Sequence, residues 1–200
     1  MKRLGILCLT AIASCCSPSS PANVYQTESG IEYKVRVDFV LPIEYKTQYP
    51  FIARAFEDAA RTWAEVIPID VRLIPKRTSD PTAIDIIIAP NIVIGGYYAP
   101  DRYLGLYYPP ARSVFLSSRL LTSYDKAYSV ALHELGHVFG LRHVIDLLGD
   151  GYGGTGDTVI SLHAELSLMY PVYTEENEGS TLSKFDIELA REYVRIFRLK

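Results

Sequence analysis

Cysteine is almost missing from this chain. Of 200 residues three are Cys, at positions 8, 15 and 16, and none follows. A fold built from the remainder has no disulfide and must hold together through its core or through a bound ion. Clustered basic residues are missing too. The net charge is −3 with both signs interspersed, which gives a phosphate backbone nothing to follow and argues against nucleic acid as the main partner. No apolar run approaches the ~20 residues that cross a bilayer. Histidine is scarce, four in all, yet three of them fall within eleven residues, from His133 to His143. The rest is ordinary: 48% hydrophobic and 22% charged residues place the chain among globular proteins rather than disordered ones. Its length suits one domain that buries roughly 70% of its unfolded surface.

The three cysteines mark the N-terminus as an address. Met1-Lys2-Arg3 is a short positive stretch, and Leu4 to Ala13 is an apolar one of signal-peptide length. It ends Ile12-Ala13-Ser14-Cys15, which resembles the bacterial lipobox, an aliphatic residue and two small ones before a cysteine that is acylated. Residues 1–14 then read as a signal peptide of the lipoprotein type and Cys15 as the lipidated residue. Residues 15–30, with Ser17-Pro18-Ser19-Ser20-Pro21, read as a tether. An acyl chain anchors without spanning, so the membrane is expected as a partner through this end alone. The expected location is the bacterial cell envelope, at the outer membrane or cell surface, or the medium if the lipobox is not used. Removing Lys2 and Arg3 takes the net charge from −3 to −5.

Periodicity organises the remainder. Ile31 to Phe39 alternates apolar and polar residues, as a half-buried strand does. From about Pro50 to Val66 the period changes, with Ile52, Phe56, Ala59, Ala60 and Trp63 on one helical face. Ile69 to Leu73 alternates again, and Ala83 to Ala89 is apolar at nearly every position, as in an inner strand. Residues 91–112 read as a loop with a short edge strand near Leu104–Tyr108, followed by a strand at Ser113–Leu116. A long helix is expected from Ser123 to Gly140, an irregular Gly/Asp loop over 149–157, and a last helix opening at Ser183. On that last helix Asp186 stands favourably near the dipole, and Ala190, Tyr193, Val194 and Phe197 form the buried face.

The expected chemistry lies in His133-Glu134-Leu135-Gly136-His137-Val138-Phe139-Gly140-Leu141-Arg142-His143. Residues four apart on a helix stack on one face about 6 Å apart, so His133 and His137 can direct ring nitrogens at one ion. Glu134 sits roughly 100° round from His133. It borders the metal without ligating it, where it can take a proton from water. Gly140 can adopt a positive φ, ending the helix and bringing His143 back as a third ligand. Three neutral imidazoles with an open position suit a catalytic zinc rather than a structural one. HExxH alone arises by chance in roughly one chain in two hundred of this composition, and with the spaced Gly and third His in roughly one in 10⁵.

The long motif, together with Ser167-Leu168-Met169-Tyr170-Pro171-Val172-Tyr173, resembles the metzincin zinc endopeptidases, in particular their matrixin (matrix metalloproteinase-like) branch. The resemblance covers about residues 31–198 and implies one catalytic domain over 31–200. It implies an α+β fold with a twisted, mixed five-stranded sheet, an active-site helix, a Met-turn and a C-terminal helix. It further implies one zinc held by His133, His137 and His143, with Glu134 as general base and acid acting through a zinc-activated water. Met169 would form the hydrophobic floor beneath the metal. Pro171, Val172 and Tyr173 would line a substrate pocket, and the edge strand would pair with extended substrate. The implied activity is hydrolysis of peptide bonds in a protein or peptide substrate by a monomer.

The chain departs from that pattern in places. Val144 stands where matrixins carry Ser or Thr, the stretch from His143 to Met169 is long, and only His163 is spare for a second zinc, so none is expected. No pro-domain cysteine is present beyond Cys16. Asp146, Asp150 and Asp157 offer oxygens to calcium, but without EF-hand spacing a plain loop is the simpler reading. The reading from another class is a surface-tethered, zinc-containing binding module that does not cleave.

Overall fold

A computed structural model of the chain describes residues 23–27, 30–94, 97–98, 103–142 and 182–198. The strands are β1 (Asn23–Thr27), β2 (Gly30–Val40), β3 (Ile69–Ile74), β4 (Ile84–Ala89), β5 (Val93–Ile94), β6 (Tyr97–Tyr98), β7 (Gly105–Tyr108) and β8 (Ser113–Ser117). The helices are α1 (Ile43–Gln48), α2 (Pro50–Val66), α3 (Tyr124–Val138) and α4 (Lys184–Arg198). The architecture is α+β around one mixed sheet. The loop over 149–157 lies outside the described residues.

Four strands of that sheet run parallel in the order β3, β2, β4, β8, and β7 closes the far edge antiparallel to β8. Parallel pairing of β2 with β3 needs a crossover, and α1 with α2 supplies it. The alternation in β2 has a clear consequence. Phe39 faces the core and is fully buried, while Arg36 and Asp38 face the other way and pair at 3.0 Å. In β4 the isoleucines at 84, 86 and 88 are buried.

Helix α2 begins with Pro50 at its first position, where a missing N–H is harmless. It buries Ile52, Ala53, Ala55, Phe56, Ala59, Ala60 and Trp63. Phe56 meets Phe39 edge-on with ring centroids 5.4 Å apart, which fixes α2 on the sheet. Trp63, two turns further along the same face, reaches α3: its indole N–H donates to the Leu132 carbonyl at 3.0 Å and its ring packs edge-on against Phe139. Helix α3 is thus tied to α2 at mid-length. Nearer its start the tie is polar. Tyr124 donates to Asp58 at 2.8 Å, and the Thr62 and Tyr128 hydroxyls meet at 2.9 Å. Ser123 caps α3 by accepting from the Lys126 N–H. Helix α4 opens with a reciprocal cap, Ser183 Oγ accepting from Asp186 N–H while Asp186 Oδ2 accepts from Ser183 N–H.

Four features add to or differ from the sequence reading. The expected mixed sheet of five strands is present as β3, β2, β4, β8 and β7, and β1 adds a sixth by pairing antiparallel with the first half of β2, Asn23 opposite Lys34 and Thr27 opposite Gly30. Ordered pairing thus begins inside the stretch read as a tether; Val24 and Tyr25 suit a strand, but only the partner selects it. The helix expected from Pro50 is preceded by the six-residue α1, which is too short to announce itself by period. Within the stretch read as a loop, β5 and β6 form a two-stranded pair. Asp186 is buried at 1% exposure, beyond the dipole role read from sequence, while the side chain of Phe197 lies outside the described set. Among the described residues no helix is long and apolar enough to cross a membrane.

Burial, then the hydrogen bond to Asp58, pushes the Tyr124 phenol from 10.0 to about 12. A raised folded value means the fold favours the neutral phenol, so its stabilisation is present below pH 10 and is lost as pH rises through about 12. Tyr124→Phe is expected to remove one late-ionising phenol from the ultraviolet tyrosinate titration and to flatten the loss of stability across that window in urea unfolding.

Candidate metal centre

Helix α3 carries the motif. His133 and His137 stand one turn apart and partly buried, their ring centroids 4.8 Å apart with planes near perpendicular at 84°. Both rings therefore border one small volume. Glu134, next to His133 in the chain and about 100° round the helix from it, is buried at 6% exposure. There it meets edge strand β7, whose Tyr107 N–H donates to Glu134 Oε2 at 2.7 Å. Tyr107 lies opposite Val114 across the β7–β8 ladder. Its N–H goes to the carboxylate, so it belongs to the outward-directed groups of the edge strand. Loss of water raises the Glu134 carboxyl to about 8, and the Tyr107 amide opposes that by favouring the charged form.

Strand β7 comes this close because residue 105 is glycine. A Cβ there would lie 2.8 Å from Glu134 Cγ and 2.9 Å from Glu134 Oε1. The second glycine of the site ends the helix. Gly140 has φ +85°, with its N–H on the His137 carbonyl at 3.0 Å and the Leu141 N–H on the Gly136 carbonyl at 2.9 Å. These two bonds are a Schellman motif. A Cβ at Gly140 would also fall within the Tyr193 ring of α4, so both conformation and space call for glycine.

The motif has a chemical product. It turns the Leu141 carbonyl back to 2.9 Å from His137 Nδ1. A carbonyl only accepts, so Nδ1 carries the proton and Nε2 carries the lone pair, the tautomer that ligates a metal. Two imidazoles bordering one volume, one with its donor nitrogen fixed, fit two of the nitrogen ligands that zinc takes, and the desolvated carboxyl group of Glu134 stands next to them in the chain.

Of the residues named from sequence, the fold brings together His133, Glu134 and His137. His143, Met169, Pro171, Val172, Tyr173 and Cys15 lie outside the described residues, as do His163 and Asp146, Asp150 and Asp157. Among the described residues no group of three or more His, Cys, Asp or Glu forms a metal-binding set. Sequence reasoning missed Gly105, the Tyr107 amide and the Leu141 carbonyl. A glycine inside a strand pattern signals close approach of a neighbour, and Leu104-Gly105-Leu106 carried that signal. No protein-family model matches this sequence, and no curated protein matches it.

Gly140→Ala forces an alanine into left-handed backbone, at about 1–2 kcal/mol, and drives its methyl into Tyr193. A lower urea midpoint is expected, with zinc held about 10–100-fold more weakly in competition with a chelating dye, because the Leu141 carbonyl no longer orients His137. Adding Tyr193→Ala should restore part of the stability and none of the positive-φ penalty. Unchanged zinc affinity in Gly140→Ala would remove the orienting role.

Proposed function

We propose that this chain is a zinc-dependent endopeptidase of the metzincin kind, similar to the matrixin branch, that hydrolyses peptide bonds in proteins. The observation that carries this reading is Glu134, a carboxylate buried beside two histidines and held at 2.7 Å by the amide of an edge strand. Burying a carboxyl group is costly without a use for it, and a module that only binds has no need of that base. The four parallel strands with one antiparallel edge next to α3 support the same reading, as do the third histidine and the Met-Tyr-Pro segment of the sequence.

In this reading His133, His137 and His143 hold the ion. Zinc, when bound, supplies Lewis acidity to a scissile carbonyl and to water. Glu134 accepts the proton of the attacking water and returns it to the leaving amine. The outward main-chain groups of β7 other than the Tyr107 amide would align extended substrate, Pro171, Val172 and Tyr173 would line the side-chain pocket, and Met169 would supply its hydrophobic floor. Export through residues 1–14 and acylation at Cys15 place the enzyme at the cell envelope, as a monomer with one zinc.

Incubation of the domain with casein and a peptide library tests this directly. Cleavage should stop with a chelator, and Glu134→Ala should lower kcat/KM by about 10²–10⁴-fold while still binding one zinc per chain. Equal cleavage by wild type and the Glu134 variant would end the peptidase reading, and retained zinc with no cleavage by wild type would favour the binding module. Separately, cells fed a palmitate analogue should label the wild-type chain and not Cys15→Ala; label on both places the anchor elsewhere.

A further inference from the structure

Edge strand β7 meets Glu134 at two points. The Tyr107 N–H holds Oε2 at 2.7 Å. Two residues earlier, Gly105 faces the rest of the same side chain, and a Cβ there would lie 2.7 Å from Val130 Cγ1 as well as 2.8 Å from Glu134 Cγ. Among the described glycines positive φ is recorded at Gly140 alone. Glycine is therefore required at 105 for space and not for backbone conformation.

The neighbours differ in how they can yield. Val130 is β-branched, stiff at χ1 and buried at 6% exposure within the core. Glu134 is an unbranched side chain with three rotatable bonds, anchored at its end, among the described residues, by one hydrogen bond. A methyl group at 105 would therefore displace Glu134, and the contact broken would be the one to Tyr107.

We propose that Gly105 is a positioning residue for Glu134: its missing side chain lets the edge strand close on the carboxylate, and the Tyr107 main-chain amide then selects the conformation that the base holds. This rests on the peptidase reading with Glu134 as base. One strand then does two things. Its outward main-chain groups align the substrate, and one of its amides aims the carboxylate, so substrate register and base position are set by the same element.

Gly105→Ala in the full-length chain tests this. With zinc bound, kcat for a cleaved peptide should fall at least about tenfold, the scale on which sub-ångström misplacement acts, while KM and zinc per chain stay within about twofold. A second measurement needs no cleavage: thermal unfolding, with metal removed, of wild type, Gly105→Ala, Glu134→Ala and the double variant. Gly105→Ala should lower Tm more in the wild-type background than in Glu134→Ala, where the carboxylate it displaces is gone. Equal losses in both backgrounds, or wild-type kcat in Gly105→Ala, overturn the proposal. If Gly105→Ala does not fold, recovery of folding in the double variant supports it and continued failure overturns it. If wild type cleaves nothing, the peptidase reading falls, while the unfolding cycle still decides whether Gly105 makes room for Glu134.

Discussion

A carboxylate out of water is the constraint around which this domain is arranged. Glu134 lies on the inner side of α3 at 6% exposure, where a charged group is expensive unless something polar meets it. Among the described residues it is met by a main-chain amide rather than a cationic side chain. That choice requires a strand edge at hydrogen-bonding distance from a helix, closer than side chains on both elements would permit. Gly105 removes one of those side chains. The edge position of β7 supplies the other requirement, because a strand flanked on both sides would have committed that amide to a ladder.

Such a contact is only as good as the placement of α3, which is fixed at several points. Ser123 and the Tyr124–Asp58 bond hold its start. The Trp63 indole bonds the carbonyl of Leu132, the residue before His133, and so sets the helix along its axis where the motif begins. At its end the Schellman turn leads into Gly140, on which Tyr193 of α4 rests. Site residues on a helix held in this way are positioned more accurately than residues on loops. Two edge-on aromatic pairs, Phe39 with Phe56 and Trp63 with Phe139, belong to one core cluster that runs from the sheet to the end of α3.

Much of this was legible in the sequence, and the reason differs from element to element. The long elements β2, α2, β4 and α3 bury one face or both, and burial writes its period into the side chains. The start of α4 could be read because a Ser–Asp cap is written in side chains. By contrast α1, β1, β5 and β6 are short, and tertiary partners decide whether such segments are regular. At the site, His133, Glu134 and His137 are identified by residue type. The groups that orient them, the Tyr107 N–H and the Leu141 carbonyl, are main-chain atoms that every residue carries, so no residue type marks them. Their trace is indirect: a glycine in a strand and a glycine after a helix, each recording how closely something else approaches.

Those two glycines show why the sequence pattern around the histidines cannot be reduced to ligands. Gly140 is part of the spacing HExxHxxG, and the turn that follows the helix is the first reason for it. Here it carries three consequences at once. The positive φ closes the Schellman bonds, the closed turn delivers the Leu141 carbonyl to His137 Nδ1, and the bare Cα admits Tyr193. The first sets backbone direction, the second sets an imidazole tautomer, and the third couples the end of α3 to α4. Gly105 acts from outside the motif and on its buried carboxyl side chain, Glu134. One glycine thus governs how a donor nitrogen is presented and the other how a carboxylate is held. The precision of the site comes from two places where the chain has no side chain at all.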